Sequence, residues 1–276
     1  MGITARNTVA MSPSTTSRFE SDAPKRRTAE RRGVLGILGK KVISAVCSPA
    51  VWIPALILIV LTAVFRLTDV DVAAVRPFFA GREAGDQFPD RWPLMCAYPW
   101  KALYDWGIYP GLLLGAGGLV VWIASFFWLK LESWRDQGLF YGLVLIVGPG
   151  ILINSVLKPY WGRPRPNAII QFAGPRDFLP VWEWGRGQDE SSFPSGHASM
   201  GFCLMAPAFV YYRRRPRLAL GFLLLGLIGG CVMGLARIVA GGHFPSDVVW
   251  AGGLIYFTAL MLAAPFKFGQ KDPPYG

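Results

Sequence analysis

Histidine is almost missing from this chain: its 276 residues include two, His197 and His243. Acidic residues are scarce as well, 17 against 28 lysines and arginines, and cysteines number four. Each shortage excludes a class of protein. Cys47, Cys203 and Cys231 lie in or beside apolar stretches and Cys96 stands alone in a polar one, so no disulfide framework follows. Cys and His never fall at the close spacing a metal site needs, so neither a metal nor another cofactor is expected. The N-terminal segment lacks the apolar core of a cleavable signal peptide, and Arg6 stands where a myristoylated Gly2 requires Ser or Thr. There is no internal repeat.

What the chain has in excess is apolar residues, 53% of the total, gathered in blocks rather than spread periodically as in a soluble core. A block of about 20 apolar residues reads as a membrane span. Six occur, at 43–65, 108–129, 138–157, 197–212, 218–236 and 246–264. The expected fold is all-α, a polytopic bundle of six transmembrane helices. Its domain occupies 41–266, between a disordered basic cytoplasmic tail at 1–40 and a short cytoplasmic tail at 267–276. Pro49 and Pro54 are tolerable in such a bundle, whereas Pro207 makes the short fourth block the least secure span.

The net charge of +11 would suit nucleic acid, but the basic residues sit in the N-terminal tail and short loops, a placement that fits anionic headgroups instead. The partners expected are the bilayer and a lipid. With the N-terminus cytoplasmic, loops 130–137 and 213–217 (RRRPR) and the tail with Lys267 and Lys271 fall inside, as the positive-inside rule requires. Loops 66–107, 158–196 and 237–245 then face outward, and long loops usually carry function. The first of these holds Phe78, Phe79, Phe88, Trp92, Tyr98, Trp100, Tyr104 and Trp106. It reads as a segment lying on the membrane surface, for anchoring or for binding lipid.

Three motifs share that outer face. The first is KPYWGRPRP, residues 158–166. Its cations, Lys158 and Arg165 foremost, stand on the side the positive-inside rule disfavours, and an anionic ligand supplies the reason. Arg163 reads as a loop charge, with an accessory contact to that ligand as the alternative. The second is FPSGH, residues 193–197, where Ser195 caps a helix, Gly196 lets a phosphate approach the backbone and His197 faces it from the first turn. The third carries Arg237, His243 and Asp247, with Pro245 opening a helix. Four residues apart, Asp247 can accept one ring N–H of His243 and leave the other nitrogen free to attack. A lone histidine is more often scaffold, but both histidines lie in these motifs beside an aspartate and three cations, which favours catalysis.

In order, K-x6-R-P, P-S-G-H and R-x5-H-x3-D resemble the type 2 phosphatidic acid phosphatase (PAP2) family, whose site is shared with bacterial acid phosphatases and vanadium haloperoxidases. The family's third motif commonly opens Ser-Arg, where this chain has Ala236, a change that removes a hydroxyl but no charge. The resemblance implies a metal-independent phosphoric monoester hydrolase at the outer membrane–water boundary. His243 would be the nucleophile of a phosphohistidine, His197 the general acid and then base, and Asp247 the orienting group. Lys158, Arg165 and Arg237, with the N–H groups of Ser195 and Gly196, would hold the phosphoryl oxygens. The run SFPSGHASMG, residues 192–201, with Phe88 and Pro89, is most similar to the bacterial lipid A phosphatase branch. That likeness implies a bacterial inner membrane, a site facing the periplasm and a lipid A-like glycolipid. Undecaprenyl pyrophosphate, phosphatidylglycerophosphate and phosphatidic acid stay open as substrates, as does a lipid phosphotransferase. A transporter is disfavoured because the charges cluster at span ends rather than mid-span.

Overall fold

The computed structural model describes residues 48–81, 83, 88–185, 191–266 and 268. The expected tails, except Phe268, the start of the first apolar block and the side chains of Phe88 and Pro89 lie outside the described residues. The chain divides into two compact units, Met1–Ile53 and Pro54–Gly276, and the second holds everything below except the first turn of one helix.

Among the described residues there is no strand, only an isolated parallel bridge between Ile169 and Arg176. Helix α1, Pro49–Leu67, leads into a short α2, Val70–Val75. Then come α3, Trp100–Trp106, and α4, Tyr109–Ala124. Helix α5, Arg135–Leu145, runs on as a π-helix over Ile146–Leu157 and closes with one α turn, Lys158–Trp161. Helices α6, Gly196–Phe202, and α7, Ala206–Tyr211, precede the long α8, Pro216–Val239, and α9, Pro245–Ala263.

Among the described residues, five helical stretches are long and apolar enough to cross a membrane: Pro49–Leu67, Trp100–Ala124, Leu129–Ala168, Pro216–Val239 and Pro245–Ala263. Their outward faces stay apolar, with Ile59 64%, Leu113 70%, Val120 65% and Ile228 61% exposed. Water would not tolerate that much bare hydrocarbon, so these faces are solvated by lipid. The fourth expected block is not among those five stretches. It is one short helical run, α6 passing through a 3₁₀ turn at Cys203–Met205 into α7, whose Pro207 has no N–H to donate. Its residues are instead the centre of the bundle, Ala198, Phe202, Cys203, Met205 and Ala206 all being 3% exposed or less. Small residues let neighbours close on it: a Cβ at Gly226, Gly230 or Gly234 of α8 would run into Met205, Phe202 or Val248.

The aromatic segment at 66–107 departs from expectation. Tyr98 and Trp106 are exposed, as anchoring residues would be, but Trp92 is buried and packs 5.6 Å from the rings of both Phe79 and Phe172. Indole is large enough to serve as core or anchor, and composition does not separate the two. Trp92 covers Gly241, which sits at φ 64°, where a side chain would meet the indole ring. Trp92 therefore packs over the third motif.

Candidate active site

The three motifs come from distant parts of the chain, and main-chain hydrogen bonds lace them together. Asn167 N–H donates to Gly241 O (3.0 Å), joining the first loop to the third. Ser192 N–H donates to Arg163 O (2.8 Å), joining second to first. Ser195 N–H donates to Asp247 O (3.2 Å), joining second to third. Local sequence sets each loop's shape. The first motif leaves its helix at Gly162, whose φ of 67° ends the turn that carries Lys158. Ser195 is the N-cap of α6, its hydroxyl accepting from Ala198 N–H (3.4 Å). Pro245 opens α9, and Asp247, in the first turn, accepts the Phe244 N–H (2.8 Å) through Oδ2.

His243 is fully buried at this junction, its Nδ1 2.6 Å from the main-chain oxygen of Ser192. A carbonyl can only accept, so Nδ1 carries the proton and Nε2 keeps its lone pair. This differs from the expected arrangement: the Asp247 carboxylate is 3.6 Å from Nδ1, within ion-pairing reach but beyond a hydrogen bond. Asp247 supplies charge, and the backbone supplies the orientation. Burial pulls the His243 imidazole down from 6.5 to about 4, with Asp247 opposing it and the Arg237 and Lys158 charges reinforcing it. At neutral pH the ring is an uncharged base.

His197, half-buried, lies within electrostatic reach of Arg237, His243, Lys158 and Arg165. Between it and Arg237 stands Tyr104 of α3. Its ring centre is 5.4 Å from the His197 ring, and the Arg237 guanidinium sits 4.2 Å over its face. Arg237, at the end of α8, is 6% exposed, and its Nε and Nη1 have no hydrogen-bond acceptor among the described residues. Buried guanidinium donors of this kind match phosphoryl oxygens. The expected contribution of the Ser195 N–H is corrected: that donor is committed to Asp247 O. Helix geometry leaves the N–H groups of Gly196 and His197 at the open end.

Arg163 is no loop charge. It is 0% exposed, ion-paired through Nη2 with Asp71 Oδ2 (2.8 Å) and through Nη1 with Asp247 Oδ1, while Nε donates to Leu179 O (2.8 Å). Ser246 completes the cluster, its N–H reaching Asp71 Oδ1 (3.0 Å) and its hydroxyl bonding both Arg163 and Asp71. Burial pushes the Asp71 carboxyl up from 3.8 while the Arg163 charge pulls it back. No group of three or more His, Cys, Asp or Glu side chains suited to a metal occurs among the described residues.

Comparison with known proteins gives this geometry a context. Residues 137–269 match the PAP2 superfamily. The chain is similar to the lipid A 4'-phosphatase of Francisella tularensis subsp. novicida, 36% identical over 133 residues, 48% of this chain and 59% of that protein. With the lipid A 4'-phosphatase of Rhizobium etli it shares 26% identity over 232 residues, 77% of this chain and 86% of that one. With the phosphatidylglycerophosphatase B of Bacillus subtilis it shares 29% over 146 residues, 50% of this chain and 63% of the relative. The first and third of these matches span less than two thirds of the relative's length. No solved structure matches significantly. The family match runs from before Lys158 to beyond Asp247 and so takes in all three motifs.

Proposed function

We propose that this protein is a membrane lipid phosphatase that removes a phosphate monoester from a lipid A-like glycolipid through a phosphohistidine. The observation that carries the reading is the 2.6 Å contact between His243 Nδ1 and Ser192 O. With Nδ1–H given to Ser192 O, Nε2 holds a lone pair among cations whose natural partner is a phosphoryl group. Burial and the surrounding cations hold the His197 imidazole down to about 4, and the arriving phosphate anion offsets those cations so that the ring takes up a proton. Nε2 attacks phosphorus, an N–P bond forms as the P–O bond to the lipid breaks, and His197 gives that proton to the departing oxygen. Water then attacks the phosphohistidine, yielding its proton to His197, and inorganic phosphate leaves. Lys158, Arg165 and Arg237 balance the phosphoryl charge, the largest catalytic contribution in this class of reaction, so the step needs no metal.

Similarity to the Rhizobium etli protein over most of both chains supports the glycolipid. Similarity to a phosphatidylglycerophosphatase keeps phosphatidylglycerophosphate as the second reading. Mass spectrometry of lipid A from cells with and without the gene is expected to show loss of one phosphate only with the wild-type protein. Unchanged lipid A, with phosphatidylglycerophosphate or undecaprenyl pyrophosphate consumed by the purified protein, would replace the substrate. Transfer to an added acceptor lipid without phosphate release would make it a phosphotransferase.

The proposed location is the bacterial inner membrane with the site toward the periplasm. Support comes from the exposed arginines of the 213–217 loop, which sit at the opposite ends of α7 and α8 from the motifs. Cysteines introduced singly for Asp177 and for Arg217, both exposed, test this in a background without native cysteines. An impermeant thiol reagent on intact cells is expected to label Asp177→Cys alone; labelling of Arg217→Cys alone inverts the orientation.

A further inference from the structure

Arg163 and Asp71 touch neither histidine, yet their cluster ends on the carboxylate that faces His243. Asp247 offers Oδ1 to Arg163, while its Oδ2 accepts Phe244 N–H and lies 3.6 Å from His243 Nδ1. The guanidinium is shared, its Nη2 going to Asp71 and its Nη1 to Asp247 and Ser246. All four side chains are 1% exposed or less, so little solvent screens these charges. Two carboxylates and one guanidinium leave a net negative charge behind the imidazole. A bond from Nε2 to phosphorus places a positive charge on that ring, and the cluster is where it is balanced.

We propose that Asp71 and Arg163 are positioning residues for the covalent step. Asp71 absorbs half of the Arg163 charge, so that Asp247 remains negative toward His243 when the ring becomes cationic. This rests on the phosphohistidine reading and extends it to α2, a helix outside the family-matched segment. Asp71 serves the covalent bond and not the docking of phosphate, because it pairs with the buried Arg163 and with Ser246 rather than with Lys158, Arg165 or Arg237.

Two anions separate these roles on the full-length protein in detergent. Orthovanadate accepts an imidazole nitrogen as a ligand and so reports on the bond to His243, whereas inorganic phosphate reports only on docking. For Asp71→Asn, calorimetry is expected to show vanadate affinity reduced about tenfold or more, with phosphate affinity unchanged within about twofold. Ser246→Ala, a milder change that removes one bridge in the cluster, is expected to shift the same ratio in the same direction by a smaller factor. Equal weakening of both anions in either variant, or an unchanged vanadate affinity, would reduce the cluster to a structural strut and overturn the proposal. Vanadate binding with this selectivity in a protein that releases no phosphate from any lipid would overturn the lipid reading and leave the positioning role standing.

Discussion

His243→Ala is expected to lower kcat by at least about 10⁴-fold and to leave no phosphoenzyme to be trapped, because in the proposed mechanism its Nε2 forms the covalent bond. The wild-type enzyme, quenched with radiolabelled substrate, supplies the comparison. A labelled phosphoprotein that persists in His243→Ala would assign the covalent step elsewhere. The pH profile reports on the same atom. His243 titrates at about 4 in the folded protein instead of 6.5, so its base form persists well below neutrality. Once the substrate's own second ionisation, near about 6, is allowed for, the acid limb of kcat/KM is expected near the lower value. Stability carries the same sign. The unfolded chain binds a proton at His243 as pH falls below 6.5 while the folded one does not until about 4, so the fold loses stability across that window. An acid limb at 6.5 would contradict the burial of the ring.

The second large effect is on the fold. Arg163→Met leaves the Asp71 and Asp247 carboxylates buried without their cation, a loss of about 3–5 kcal/mol. At roughly 2–4 °C per kcal/mol for a chain of this size, thermal unfolding in detergent is expected roughly 6–20 °C lower. Lys101→Met is the control. Lys101 pairs with Asp105 at 2.8 Å, comparable in length to the pairs of Arg163, but the two side chains are 61% and 40% exposed, so water screens the pair and its loss is expected to leave the melting temperature nearly unchanged. Equal melting temperatures for the two variants would mean that the Arg163 cluster is not the buried lock described here.

The contrast between these two arginine- and lysine-centred pairs also shows where sequence reading stops. The residues joined to a motif by short spacing were legible: Ser195 caps its helix, Pro245 opens the next, and Asp247 comes back to within 3.6 Å of His243. Helices that are apolar on every side announced the bundle. Arg163 was misread because its partners lie 84 and 92 residues away, and a charge in a Pro-rich loop looks the same whether it meets water or an aspartate. Asp71 sat in a segment whose aromatic content drew attention to the membrane. Tyr104 was one aromatic among eight, and only the fold places its ring against His197 and Arg237. The 3₁₀ turn at Cys203–Met205 had a local sign in Pro207, but that this short helical run would sit so enclosed depended on the small residues facing it from α8.

Because the acceptor that sets the His243 tautomer is a peptide oxygen, it belongs to no side chain. Side-chain substitution at position 192 leaves that oxygen in place. An alanine scan therefore passes over one of the atoms that orients the His243 ring, and so does any survey that ranks positions by residue identity. What the site requires there is a path for the main chain, held by the bond from Ser192 N–H to Arg163 O and by the cap at Ser195. Transplanting the three motifs onto another helical bundle would carry over the histidines and cations but not this path, and the grafted imidazole would be free to turn its protonated nitrogen toward the phosphate.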